Sequence, residues 1–282
     1  MQLYLAAAPC YLPEARRWGL PIAYAAYRID SCGRLSALPL PAVPPGGLLL
    51  ISGTDCPAPP QPEALARDIL RECLHRQYTG VVLEPVLPRP AVAALSVLCR
   101  RYGRTLHLPE RSGTDADACV VVSTALSGGT LRRRLEEVCR RFAPRPVTLD
   151  LACVRADFTL PAPYGDGRML TAQQLASLRA QRPVFFSPEL CARYFTYEQE
   201  GMTHLVLFDD ADTLRRKIGL GTELGIAAGM LSLPVAAELC QSFGITLEQF
   251  GLKAGLAAAL LFPILLVVGV LCFKRQKAPL DS

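Results

Sequence analysis

Glu84 is a carboxylate at the end of a predicted strand, a position from which it could act as a general acid or base. It lies in YTGVVLEPVL, residues 78–87, where an apolar run follows a predicted helix and ends at Pro85. This pattern is typical of a buried strand that ends at a loop. Because side chains alternate along a strand, we expect Val82, Glu84 and Val86 to share one face.

Four further carboxylates follow predicted strands. A relocated acid/base pair such as Glu84 with Glu110 needs carboxyl groups about 5–10 Å apart, which neighbouring strands can provide. The alternative for each is a loop carboxylate that caps a helix or faces solvent. A buried Glu84 must be protonated or paired, and His107 and Asp150 could be its partners. We favour a structural role for Glu84 over a catalytic one. The four are Asp55, Glu110, Asp157 and Glu189.

The sequence predicts neither a metal centre nor a cofactor. His75, His107 and His204 are far apart and lack the spacing of a ligand set. The SGGT turn at 127–130 has no Lys at the spacing of a phosphate-binding loop. The 11 cysteines form no CxxC pair, which is typical of small buried side chains in a reducing compartment. The net charge of +5 is spread along the chain, which argues against nucleic acid as a partner.

The elements that must position these carboxylates alternate between apolar strands and amphipathic helices along most of the chain. Such alternation predicts a parallel sheet. Its length favours a (β/α)8 TIM barrel over an open sheet, because no GxGxxG follows an early strand. The strands of this α/β fold include PVFFS at 183–187 and HLVLF at 204–208. In such a barrel the active face lies at the carboxyl ends of the strands.

The helix predicted at 131–142 carries an apolar stripe and a cluster of arginines. We interpret the arginines as a solvated helix face that is supported by pairs with Glu136 and Glu137. The alternatives are a patch that rests on anionic lipid or a surface that organises other membrane proteins. The cluster is Arg132, Arg133, Arg134, Arg140 and Arg141.

Three stretches resemble the chitinase-like barrels of glycoside hydrolase family 18, which include spore-wall and peptidoglycan-directed members. IAYAAYRIDSCGRLSAL at 22–38 resembles their second strand and turn, and LLLISGT at 48–54 resembles their third strand. Residues 192–231 resemble the closing portion, where an Asp-containing stretch precedes a helix with a Lys and a Gly-rich strand follows. The resemblance implies a barrel over residues 1–240.

The resemblance also implies a catalytic strand that lacks its acid. The family carries DGxDxDxE on its fourth strand, and Gly80 matches the Gly of that motif. Val82 stands at the first Asp after the Gly, Glu84 at the next Asp, and Val86 at the Glu that protonates the leaving oxygen. Valine cannot donate a proton, so the family's reaction lacks its general acid.

Two other groups that the resemblance implies are replaced in this sequence. A Tyr-Asp pair at the end of the sixth strand is replaced by Ser123, Thr124 and Ser127, and the Trp of the final strand by Leu231 or Ser232. We therefore expect a glycan-binding or scaffold module without hydrolase activity. The alternative is an active glycosidase with a rearranged acid/base site that acts on an envelope glycan containing N-acetylglucosamine. The residues expected to bind are Asp55, Ser123, Tyr197 and Asp209.

The end of the chain predicts a membrane anchor. Residues 254–273 carry no charge and have about the length that a helix needs to cross a bilayer. A linker at 241–253 precedes this helix, and a basic tail at 274–282 follows it. The basic tail favours a barrel outside the cytoplasm, whereas the cysteines and an N-terminal stretch unlike an export signal favour a cytoplasmic barrel. We favour the cytoplasmic side.

Overall fold

The computed structural model describes residues 1–38, 43–53, 61–112, 117–162 and 167–233. Asp55 lies outside these residues, as do the predicted linker 241–253, membrane helix 254–273 and tail 274–282. Within the described ranges, no helix has both the length and the apolar composition needed to cross a membrane.

The described strands form two sheets. The strands are β1 (Gln2–Ala7), β2 (Ile22–Ile29), β3 (Leu35–Ala37), β4 (Leu48–Ile51), β5 (Gly80–Leu83), β6 (Thr105–Pro109), β7 (Cys119–Ser123), β8 (Val147–Asp150), β9 (Arg155–Thr159), β10 (Arg168–Met169), β11 (Phe185–Ser187), β12 (Ala192–Gln199), β13 (Met202–Phe208) and β14 (Ala228–Ser232).

A closed parallel barrel is formed by β1, β2, β4, β5, β6, β7, β8 and β14, in that order around the barrel. The barrel closes through the parallel pairing of β14 with β1 and of β1 with β2. The short strand β3 pairs alongside β2 in the antiparallel direction. The predicted (β/α)8 barrel is therefore confirmed for the part of the chain that the structure describes.

Six α-helices accompany these strands in the described residues. Five of them bury apolar residues, whereas the helix at 172–179 buries none and packs Leu175 and Leu178 against the second sheet. In the helix at 131–142 the predicted stripe of Leu131, Leu135, Val138 and Phe142 is buried. The last of the six begins at a capping box in which Asp210 and Thr213 exchange side-chain and backbone hydrogen bonds. The helices are α1 (Leu12–Arg17), α2 (Pro62–His75), α3 (Arg89–Arg101), α4 (Leu131–Phe142), α5 (Ala172–Arg179) and α6 (Ala211–Glu223).

The stretches 183–187 and 204–208 do not contribute barrel strands, contrary to expectation. They belong to a separate five-stranded antiparallel sheet, in the order β10, β9, β13, β12, β11, which is inserted between β8 and α6. The turn at Glu200 and Gly201, with φ angles of 53° and 75°, makes β12 and β13 an antiparallel hairpin, because positive φ at both central residues matches strand twist. An apolar alternation identifies a strand but not the sheet that it joins.

The barrel interior is apolar near its centre, where Leu50, Val82 and Met230 pack together. A close approach between β5 and β6 requires glycine at position 80. A Cβ atom on Gly80 would lie 2.0 Å from the Oγ1 atom of Thr105, which is far inside van der Waals contact. Gly80 therefore lets the two strands pair while the Thr105 hydroxyl stays inside the barrel.

Candidate functional site

A cavity of about 550 Å³ opens at the carboxyl ends of the barrel strands, which is where barrels of this architecture place their active sites. Its volume lies within the range of small-molecule sites. Apolar side chains form most of its wall, and a few polar groups converge on it. The polar side chains that line it are Tyr11, Glu84, Arg111, Ser123, Asp150 and Ser232.

Glu84 faces this cavity from the end of β5. The strand pairing continues one step beyond Leu83, since the Glu84 N–H donates to the Ile51 carbonyl at 3.0 Å. Val82 and Glu84 both line the cavity, in agreement with the predicted alternation, whereas Val86 is not among the lining residues. The carboxylate at the mouth is therefore Glu84, and no acid occupies the position of Val86.

Asp150 reaches the same cavity from the end of β8, beside Ser123 on β7. Partial burial at the barrel mouth raises the pKa of Asp150, while the hydrogen bond from Ser123 and the charge of Lys217 oppose this rise. The pKa of Glu84 is also raised, first by loss of hydration and then by the negative charge of Asp150, while a hydrogen bond from the Gly53 N–H lowers it. Two carboxylates with raised pKa values thus share one cavity.

A polar chain lies in the barrel interior, on the strands next to these carboxylates. The two ring nitrogens of His107 are 3.0 Å from Thr148 Oγ1 and 2.9 Å from Thr105 Oγ1. Burial without a charged partner lowers the pKa of His107 to about 4. The ring is therefore neutral at physiological pH, and both of its nitrogens are satisfied by threonine hydroxyls.

Glu110 does not join Glu84 in the cavity. It begins the 3-10 turn Glu110–Ser112, which directs its carboxylate to the outside of the barrel. There it pairs with Arg134 and lies 3.7 Å from Arg141 of α4. The pair Glu84 with Glu110 proposed from the sequence is not formed, because the turn after β6 places the two carboxylates on different sides of the barrel wall.

Two further arginines of α4, Arg132 and Arg133, also contact carboxylates. Arg132 is 2.7 Å from Glu223 and Arg133 is 3.0 Å from Glu137. The first contact joins α4 to α6, and the second is an i,i+4 pair within α4. Both are typical of a solvated helix face.

Tyr197 and Asp157 lie in the inserted sheet and not in the barrel cavity. The Tyr197 hydroxyl donates to Asp157 at 2.8 Å, and the ring of His204 stacks on Tyr197 and contacts Asp157 at 3.0 Å. Although burial raises it, hydrogen bonds from His204, Tyr197 and Arg168 hold the pKa of Asp157 below its usual value. Asp157 is the buried centre of a polar cluster between β9, β10, β12 and β13.

Asp209 does not line the cavity either. Its carboxylate accepts hydrogen bonds from Lys217 at 2.7 Å, from the Val154 N–H at 2.9 Å and from Thr213 at 2.8 Å. Lys217 is 1% exposed, so this is a buried and fully bonded ion pair. It joins the end of β13 to α6 and to the start of β9.

Glu189 lies near the barrel mouth but outside the cavity. Its carbonyl accepts from the N–H of Leu131, the first residue of α4, at 2.7 Å. Its carboxylate accepts from Ser187 at 3.2 Å. Glu189 therefore connects the inserted sheet to the loop after β7.

Of the polar residues that line the cavity, the sequence singled out neither Tyr11 nor Arg111. Arg111 is the charged one of the two. It follows Glu110 in the 3-10 turn, and its guanidinium donates to the Glu84 carbonyl at 3.4 Å. Nothing in its spacing distinguishes it from the other arginines of the chain. Within the described ranges, no group of three or more His, Cys, Asp or Glu side chains is arranged to hold a metal ion.

No family model and no curated protein matches this sequence, but several solved structures share its fold. The spore cortex-lytic enzyme SleL of Bacillus megaterium QM B1551 superposes with a TM-score of 0.57 at 16% identity, over 82% of this chain and 70% of its own. A chitinase from Chromobacterium violaceum ATCC 12472 superposes with a TM-score of 0.58 at 14% identity, over 82% and 94% of the two chains.

A glycoside hydrolase family 18 N-acetylglucosaminidase from Paenibacillus barengoltzii gives a TM-score of 0.55 at 14% identity, over 83% of this chain and 95% of its own. These identities are low, so the likeness concerns the fold and not the chemistry. Together with the closed parallel barrel, they establish that this chain has the fold of the chitinase-like glycoside hydrolase family 18 barrels.

Proposed function

We propose that this protein is a membrane-anchored barrel of the glycoside hydrolase family 18 type that binds a glycan, alone or as part of a scaffold, and does not hydrolyse it. The observation that carries the proposal is at the barrel mouth. A cavity of about 550 Å³ lies where such barrels bind their ligands, yet Val86 stands at the motif position of the general acid and does not line the cavity.

The physical reason for inactivity is the missing proton donor. Glycosidic bond cleavage needs a carboxylic acid beside the leaving oxygen. Glu84 stands two residues before the motif position of the acid, which is about 6–7 Å along an extended chain. Sliding the strand by one residue cannot correct this, because it would turn Glu84 outward. Binding needs only the cavity and its polar groups, which are present.

The test is a binding titration of the full-length chain in detergent with partially N-acetylated oligosaccharides of glucosamine, followed by calorimetry. We expect saturable binding that is lost in Ser232→Trp, because the indole would fill the cavity. Ser177→Trp on the exposed surface of α5 is the matched control and should bind like the wild type. Absence of binding, or equal binding by both variants, would refute the proposal.

A second candidate function is glycoside hydrolysis by a rearranged acid/base pair. The presence of Glu84 and Asp150 in one cavity favours this function. Both carboxylates face one cavity, and both have a raised pKa. A carboxyl group whose pKa is raised can act as a general acid while its neighbour acts as a base. This candidate predicts turnover that Glu84→Gln and Asp150→Asn each abolish without lowering the melting temperature.

The membrane anchor is the remaining part of the proposal. It is supported by the uncharged residues 254–273 and the basic residues that follow them. We expect the chain to stay in the membrane fraction after alkaline carbonate extraction and to be released when it is truncated after residue 253. Protease added to intact and then to opened cells, with a tag before residue 1, would report the side of the barrel. We expect cleavage only in opened cells.

A further inference from the structure

The charge of the cavity is set by two carboxylates that face it from strands three places apart in the barrel. Glu84 follows β5 and Asp150 ends β8. When both are ionised they repel each other, and this repulsion contributes to the raised pKa of Glu84. A positive charge between them would relieve this repulsion. It would also compensate for the hydration that the two carboxylates lose on burial.

The other charged groups near the cavity do not supply that positive charge in full. Arg111 supplies one positive charge at the mouth, where its guanidinium donates to the backbone carbonyl of Glu84 at 3.4 Å. Lys217 acts on Asp150 from α6, but its ammonium is neutralised by Asp209 at 2.7 Å. Tyr11 completes the titratable groups of the lining. Among the described residues, two carboxylates therefore face one guanidinium at the cavity, which favours a cationic ligand over an anionic one.

We infer that the cavity selects hexosamine units whose amino group is free and protonated over their N-acetylated forms; this inference rests on the proposed glycan binding. An ammonium group has three N–H donors and no acceptor. Glu84, Asp150 and Ser123 offer acceptor oxygens in the same cavity. Acetylation would remove the positive charge and two of the three N–H donors, and it would add a carbonyl oxygen that ionised carboxylates cannot bind.

The lining also distinguishes an amino sugar from a bare cation. Leu50, Val82, Val121 and Met230 form apolar walls around the two carboxylates. Such walls suit the C–H faces of a sugar ring, whereas a divalent metal prefers a shell of oxygen ligands. The described residues provide no group of three metal ligands. A ring with one positive charge fits this combination of surfaces.

The test compares the tetramer of glucosamine with the tetramer of N-acetylglucosamine, by calorimetry of the full-length chain at a pH where the amines are protonated. We expect the free-amine tetramer to bind at least tenfold more tightly. Glu84→Gln and Asp150→Asn should each weaken its binding roughly tenfold to hundredfold and leave the acetylated tetramer unaffected. Glu137→Gln on the outer surface of α4 is the charge-matched control and should change neither affinity.

The pH dependence of the binding affinity is a second test. Affinity for the free-amine tetramer should fall on acidification, as Glu84 and Asp150 take up protons, and again at high pH, as the amines lose theirs. If the acetylated tetramer binds equally well or better, this inference is wrong and the proposed function stands. If neither tetramer binds, both are wrong. If tetralysine binds as tightly as the amino sugar, the cavity selects charge alone and the inference also fails.

Discussion

Glu84 and Asp150 face the same cavity from β5 and β8, and the negative charge of Asp150 raises the pKa of Glu84. We expect Asp150→Asn to lower the pKa of Glu84, because it removes the like charge and leaves the Gly53 hydrogen bond in place. Carbon-13 NMR of labelled glutamate side chains during an acid titration measures this directly. An unchanged or higher pKa of Glu84 in this variant would show that the two carboxylates are not coupled.

The buried ring of His107 makes folding stability depend on pH. Its pKa is about 4 in the folded state, against an ordinary value of 6.5, so the unfolded chain binds the extra proton between these values. Stability from this group is therefore complete above pH 6.5 and is lost as pH falls toward 4, by about 3 kcal/mol.

We expect His107→Gln to remove this part of the acid sensitivity, since glutamine can still bond Thr105 and Thr148 but does not titrate. The free energy of unfolding of both proteins is measured with denaturant at pH values from 7 to 4. The difference between the two proteins at each pH isolates the contribution of His107 from that of the carboxylates. Parallel curves for the two proteins would contradict the assignment.

Gly80 should be intolerant of even the smallest side chain. The Cβ atom of alanine would meet Thr105 Oγ1 at 2.0 Å and its carbonyl oxygen at 2.6 Å. We expect Gly80→Ala to cost about 1–3 kcal/mol of unfolding free energy, the usual range for overpacking. Gly128→Ala is the control, because its added Cβ would have no neighbour within 4 Å. Equal stability of the two variants would contradict the described approach of β5 and β6.

The buried pair of Asp209 and Lys217 should show strong coupling. Lys217→Met leaves the Asp209 carboxylate buried without its cation and should cost about 3–5 kcal/mol of unfolding free energy. Asp209→Asn in the same chain should recover part of that loss, because the uncompensated charge is gone. A double-mutant cycle by denaturant unfolding measures the interaction. Additive effects of the two substitutions would mean that the ion pair is not formed.

The barrel could be predicted from sequence because alternating strands and helices have few compact solutions other than a parallel sheet. The inserted sheet could not be assigned in this way. The strands at 185–187 and 202–208 have the same apolar character as barrel strands. Both pair antiparallel with β12, and the pairing of β12 with β13 depends on the backbone of Glu200 and Gly201. That turn lacks the Asn-Gly or Asp-Gly sequence that usually reveals such a hairpin.

The candidate site was predicted in part. Alternation along the strand placed Glu84 in the cavity, and the order of strands made Asp150 a possible partner. Asp150 does not neutralise Glu84, because it carries the same negative charge and raises the pKa of Glu84. Glu110 turned outward because a 3-10 turn follows β6 directly, and local sequence did not indicate its direction. Tyr197 and Asp209 belong to polar clusters of the insertion and its junction with α6, which depend on long-range packing.

Binding of a glycan without its cleavage can be tested by recovering the sugar after incubation with the protein. The full-length chain is incubated with partially N-acetylated glucosamine oligosaccharides at concentrations that saturate binding, and the sugar is then analysed by chromatography and mass spectrometry. We expect the oligosaccharide to return at its original length. Shorter products that form with the wild type and disappear with Glu84→Gln would contradict it and establish the barrel as a hydrolase.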